Sequence, residues 1–201
     1  MIIDEQPVRF GWGTVVRLGE FPELLARFQQ NVPSKGNKPT TSEIEQLAIE
    51  LAKNNFREAD LQSFIKTVCH WGGYAGIAGR VIRNNSGGHI SATFRKAYQK
   101  AQNGSLVEAL EALRHIKDLG SVSFASKHLK FLAPDSAVVL DSIISERLAY
   151  QMDSAGYRDF LADCRTILQN IVAFRLEYSG WGKSGWRISD VEMAITAKLR
   201  F

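Results

Sequence analysis

LVEALEALRHIKDLGSVSFASKHLKFLAPDSAVVLDSIISERLAY, residues 106–150, is the stretch whose reading decides the fold. Ser105 with Glu108 has the spacing of a capping box, and the helix it opens, Leu106–Lys117, runs through Leu110 and Leu113. The chain then turns tightly at Leu119-Gly120-Ser121-Val122-Ser123, and a second helix begins at Phe124-Ala125-Ser126-Lys127. That helix stops near Pro134. The β-branched run Val138-Val139-Leu140 is too short for more than an extended lead-in, and it delivers Asp141 to the start of a third helix, Ser142–Tyr150.

Outward from this stretch nearly every periodic segment has helical spacing. In Ser42–Lys53 the apolar residues Ile44, Leu47, Ala48 and Leu51 recur on one face, with Thr40 and Glu43 placed as a capping box before them. Leu61, Phe64, Ile65 and Val68 repeat the pattern. Tyr157–Tyr178 is striped through Leu161, Cys164, Leu168, Ile171 and Val172, and Ser189 with Glu192 opens a last helix carrying Val191, Ala194, Ile195 and Leu199. Pro22 suits the first turn of a helix reaching about Gln30. Asn31–Thr40 is a polar connector, and Trp71–Gly76, Asn84–Gly88 and Ser179–Trp186 are glycine-rich loops. The spacing predicts an all-α protein of eight or nine helices in two small lobes sharing one core. Residues 1–201 form one unit in this reading, with 41–150 as one lobe and 1–40 plus 151–201 packing against it.

Composition narrows the function. No apolar run approaches the roughly 18–20 residues of a membrane span, and the start has neither basic nor apolar signal regions, so a cytoplasmic location, nucleoid-associated in a bacterium, is expected. Cys69 and Cys164 sit in apolar helical patterns and read as buried free thiols; four scattered histidines give no zinc spacing, so no metal is expected. Charge is segregated. Between Leu61 and Val107 there is no Asp or Glu, while Lys66, Arg80, Arg83, Arg95, Lys96 and Lys100 give this stretch +6 against +4 for the whole chain. A phosphate-facing surface needs such segregation, although a merely solvated basic face would look the same.

The hairpin 119–123, Ala125-Ser126, Phe131-Leu132-Ala133-Pro134-Asp135, Val138-Val139-Leu140 and Asp141 together resemble the helix–hairpin–helix DNA glycosylase superfamily. The likeness is to the 8-oxoguanine DNA glycosylase group, in its compact archaeal-type and related bacterial members. Cys69-His70-Trp71-Gly72-Gly73-Tyr74 and Trp186-Arg187-Ile188-Ser189-Asp190 are similar to segments of bacterial members. The resemblance implies that backbone N–H groups of Gly120, Ser121, Val122 and Ser123 hold a DNA phosphate and that Asp141 is the catalytic carboxylate. Two departures qualify it. Ser121 and Ser123 stand where the family's hairpin favours glycine, and the family's nucleophilic lysine falls on Ser123 or Ala125. Adenine-mismatch members also carry serine there and use no protein amine, so a monofunctional enzyme is favoured, with Lys127 as the alternative nucleophile.

The residues suit that chemistry. Breaking an N-glycosidic bond builds positive charge on deoxyribose, which a fixed carboxylate stabilises while it orients or deprotonates water. Asp is also a preferred N-cap, so Asp141 has a structural reading beside the catalytic one. A nucleophilic Lys127 needs burial to lose its proton near neutrality; otherwise it is an exposed helix lysine. Trp71, Gly72, Tyr74, Trp181 and Trp186 in glycine-rich loops are candidates for gripping a flipped base, against a plain core role. Arg80, Arg83, Arg95 and Lys96 are candidate phosphate contacts. The expected partner is double-stranded DNA holding a damaged or modified base, met by a monomer without cofactor. The role is base-excision repair or attack on modified foreign (phage) DNA. The rivals are a non-enzymatic helix–hairpin–helix DNA-binding protein and a helical interaction module with no nucleic-acid partner.

Overall fold

The computed structural model describes residues 7–10, 14–31, 38–178, 180 and 185–201. Strands β1 (Pro7–Phe10) and β2 (Thr14–Arg17) pair antiparallel, Pro7 opposite Arg17 and Phe10 opposite Thr14. Along Val15-Val16-Arg17 the exposure alternates, Val16 buried between exposed Val15 and Arg17, as a half-covered strand requires. A 3-10 turn, Leu18–Glu20, feeds α1 (Phe21–Asn31). Nine further helices follow: α2 (Thr41–Lys53), α3 (Glu58–Trp71), α4 (Ala75–Asn84), α5 (Gly87–Gln102), α6 (Leu106–Arg114), α7 (Val122–Leu132), α8 (Ser142–Leu148), α9 (Ser154–Ala173) and α10 (Ile188–Arg200).

The all-helical expectation is met apart from the small hairpin, and the described residues hold ten α-helices rather than eight or nine. The boundaries shift for local reasons. Thr40 and Glu43 do form the reciprocal cap of α2. Ser105 precedes α6 but makes no side-chain cap bond. Helix α10 starts one residue before Ser189, because Asp190 accepts the backbone N–H of Arg187 at 2.9 Å and takes over the capping role expected of Glu192. Helix α6 ends at Arg114, and Asp118 adopts a left-handed φ of 68° in the turn, so the corner before α7 is built from residues 115–121.

Buried apolar residues from Val16 to Ala197 form one connected cluster, including the free thiols Cys69 and Cys164. Helix α7 runs through its middle and packs on α2, α3, α5 and α6. Every residue from Ala125 to Leu132 is buried, which is the pattern of a helix covered on all sides. Its polar side chains therefore need internal partners. Ser126 Oγ accepts the Leu140 N–H at 3.2 Å, tying the extended Val138–Leu140 segment to α7 and fixing where Asp141 emerges. Helices α1 and α10 lie against each other, and α10 also packs on α8 and α9. No described helix is long and apolar enough to cross a membrane.

His128, buried on α7 between Phe64 and Phe94, has its Nδ1 at 2.8 Å from the Phe124 carbonyl. Burial pushes its imidazole down to about 4. The unfolded chain thus binds a proton that the folded one refuses between about pH 6.5 and that value, and stability falls as pH falls through this window. Chemical denaturation at stepwise lower pH should show a loss on the order of 2–3 kcal/mol across the window from this residue. His128→Leu should flatten that part of the profile.

Candidate active site

Asp141 caps α8 by geometry that its sequence position foreshadows. Its Oδ1 accepts the backbone N–H groups of Ile143 and Ile144 at 3.1 and 3.2 Å. Its other oxygen faces two cations. Arg200 of α10 donates to Oδ2 at 3.0 Å, and Lys127 Nζ lies 3.7 Å from the same atom. Lys127 is buried and donates to Ser123 Oγ at 2.8 Å. Burial disfavours its charged form and pushes its pKa below the ordinary lysine value, against the pull of Asp141 and Glu192.

These groups line a pocket of about 250 Å³ together with Phe28, Trp71, Gly72, Val139, Glu192 and Thr196; Asn31, Lys38 and Phe201 complete it. Gly72 matters for space. A Cβ there would come within 3.2 Å of Lys127 Cδ, so the missing side chain makes room for the lysine stem. Trp71 ends α3 with its ring edge-on to Phe131, and its indole N–H is buried without a hydrogen-bond partner among the described residues. Behind the pocket, Lys130 donates to Glu192 Oε2 at 2.7 Å, and Thr196 donates to Glu192 Oε1 at 2.8 Å. Lys130 also sits 5.4 Å from the centre of the Trp71 ring.

Of the residues expected from sequence, Asp141, Lys127, Trp71 and Gly72 come together in this one pocket. Tyr74 lies beside it, half-exposed against Phe124 with its ring 5.9 Å from Lys127 Nζ. Trp186 does not line it: its indole donates to the Leu176 carbonyl at 3.3 Å and stacks edge-on to Tyr178. The adjacent Arg187 is structural, buried between Glu45 of α2 and Asp190. Trp181 lies outside the described residues.

Gly120 and Ser121 are exposed at the corner, Arg114 Nε donates to the Gly120 carbonyl at 2.9 Å, and Ser121 makes no side-chain cap. Val122 and Ser123 open α7, where first-turn N–H groups lack helical acceptors. The C-terminal end of α4 clasps this corner, Asn84 donating to Asp118 at 2.7 Å and its C-cap Asn85 to the Lys117 carbonyl at 3.0 Å. Arg80 is drawn towards Asp118 at 3.7 Å, so it shares the hairpin's side of α4. Arg83 is exposed, Arg95 donates to the Asn55 carbonyl at 3.0 Å, and Lys96 faces Glu108 and Glu111 across α5 and α6. None of these four basic residues lines the Asp141 pocket.

Arg200, Glu192, Thr196, Lys130, Phe28 and Lys38 are the residues that sequence reading missed as site components. No protein-family model matches the chain, and neither does any curated protein or solved structure.

A buried ion pair is costly to halve and cheap to replace whole. Lys130→Met alone should cost about 3–5 kcal/mol in denaturant unfolding, because it strands Glu192. The double variant Lys130→Met/Glu192→Gln should recover much of that loss, which a double-mutant cycle would register.

Proposed function

We propose that the protein is a DNA glycosylase acting on a damaged or modified base turned out of the duplex into the Asp141 pocket. One observation carries this reading: a buried amine and a buried carboxylate, 3.7 Å apart, share a pocket that also presents an aromatic wall. A volume of about 250 Å³ lies just below the roughly 300–1,000 Å³ of clefts for drug-sized molecules, so one planar heterocycle is a fitting occupant. Trp71, Phe28 and Phe201 supply the apolar faces that hold unstacked bases.

The carboxylate would stabilise the positive charge that grows on the sugar as the base departs. Two nucleophiles are open to the reaction, water and the Lys127 amine. The monofunctional expectation rests on Ser123 and Ala125 standing where the family has lysine. Lys127 lies four residues after Ser123, about 6 Å along the helix axis, and reaches the pocket from there while Ser123 becomes its hydrogen-bond partner. This placement favours the amine. Neutral Nζ attacks the sugar C1′, the glycosidic bond electrons leave with the base, and the proton shed by nitrogen passes to Asp141. The C1′–O4′ bond then breaks, its electrons go to O4′, which takes the proton back from Asp141, and a protonated imine is left between C1′ and Nζ. The corner at Gly120–Ser123, exposed at Gly120 and Ser121, is the candidate phosphate grip and leads into the helix that carries Lys127.

A screen of duplexes carrying different lesions and modified bases, scored for abasic sites, tests the activity. Asp141→Asn keeps a good N-cap and should leave DNA retention at low salt intact while lowering base release by about 100-fold or more. An Asn variant as active as the parent, or a parent that binds DNA but releases no base, would favour the non-enzymatic DNA-binding reading. Borohydride should trap a covalent DNA adduct that is lost in Lys127→Ala; release of base without any trapped adduct would return the water mechanism to first place.

A further inference from the structure

Two cations compete for the outer oxygen of Asp141, and their distances are unequal. Oδ1 is held by two backbone N–H groups of α8, so the carboxylate cannot turn freely. Arg200 takes Oδ2 at 3.0 Å. Lys127 is left at 3.7 Å, beyond hydrogen-bond range, and donates instead to Ser123 Oγ at 2.8 Å. Without Arg200 the nearest cation to Oδ2 would be Lys127, on a long flexible stem able to close the gap.

We propose that Arg200 is a positioning residue: by occupying Oδ2 of Asp141 it keeps the carboxylate from locking Lys127 into a contact ion pair, and so leaves the lysine amine available to a substrate carbon. This rests on the reading of Lys127 as the nucleophile. A guanidinium suits the task because it stays charged at every working pH, so its hold on Asp141 does not switch off as lysine titrates.

The groups facing Lys127 come from each element around it. They are Asp141 at the start of α8, Glu192 and Arg200 on α10, Lys130 and His128 on its own helix, Cys69 on α3, and the Tyr74 ring. Burial opposes the ammonium form, the two carboxylates favour it, and Arg200 and Lys130 oppose it again. Removing Arg200 deletes one opposing cation and releases Oδ2 towards Nζ; both changes push in the same direction.

Lysine Cε NMR titration of the full chain reads this directly, with the Lys127 signal assigned from Lys127→Arg. The Arg200 side chain is 37% exposed, so substitution there is tolerable to the fold. Wild-type Lys127 should titrate below the ordinary lysine value of about 10.4. Arg200→Met, which keeps the aliphatic packing, should raise the midpoint by roughly one pH unit, at the low end of the 1–3 units produced by an opposite charge brought into contact. Arg200→Lys should stay near wild type. An unchanged midpoint in Arg200→Met, or an equal rise in Arg200→Lys and Arg200→Met, would overturn the proposal. Borohydride trapping on the parent and on Lys127→Ala separates this from the nucleophile reading. A moved midpoint with adducts that persist in Lys127→Ala would show that Arg200 governs the Asp141–Lys127 contact while refuting Lys127 as the attacking group, and with it the positioning role.

Discussion

The division of one carboxylate between a helix end and two side-chain cations joins the parts of this structure that matter for chemistry. Oδ1 of Asp141 completes the first turn of α8, a contribution of about 1 kcal/mol for a good N-cap. Oδ2 reaches Arg200 from α10 and Lys127 from α7. Capping and the proposed catalytic role are therefore compatible for Asp141, since they would use different oxygens. The cap fixes the carboxylate in place, and the fixed carboxylate is what a developing sugar cation requires.

Helix α7 supplies the rest. A helix buried on every side would be expected to carry only apolar residues, yet this one holds Lys127, His128 and Lys130. Buried ion pairs such as Lys130–Glu192 add little to stability compared with apolar replacements of equal volume. Local choices that oppose folding tend to concentrate at sites of function. Here they concentrate where α7, α10 and the Val138–Leu140 segment meet, and that junction is the pocket. Ser126, bonded to the backbone of Leu140, holds the two sides of it in register.

Much of the helical framework was legible in the sequence because it depends on neighbours three and four residues apart. The Thr40–Glu43 cap, the stripes of α2 and α3, the corner near Gly120 and the N-terminal position of Asp141 are all of this kind. Lys127 could be named only as an alternative, since nothing local shows that its face of α7 is covered. Two lysines in an acid-free helix between apolar residues were the available signal. Arg200 and Glu192 left none: they meet Asp141 and Lys130 across 59 and 62 residues of chain. Trp186 sits outside this pocket because its indole donates to the Leu176 carbonyl and packs on Tyr178, contacts that its loop sequence does not display. The β1–β2 hairpin was also missed, four-residue strands being too short to declare a period against a helical background.

The central claim is that the Lys127–Asp141 pair faces the sugar of an extruded nucleotide. A crystal structure with a duplex carrying a tetrahydrofuran abasic analogue would test it most directly. The account requires the analogue's C1′ position to lie between Lys127 Nζ and Asp141 Oδ2, with a flanking phosphate at the Gly120–Ser123 corner. A duplex bound on another face, with Lys127 and Asp141 remote from any sugar, would contradict it.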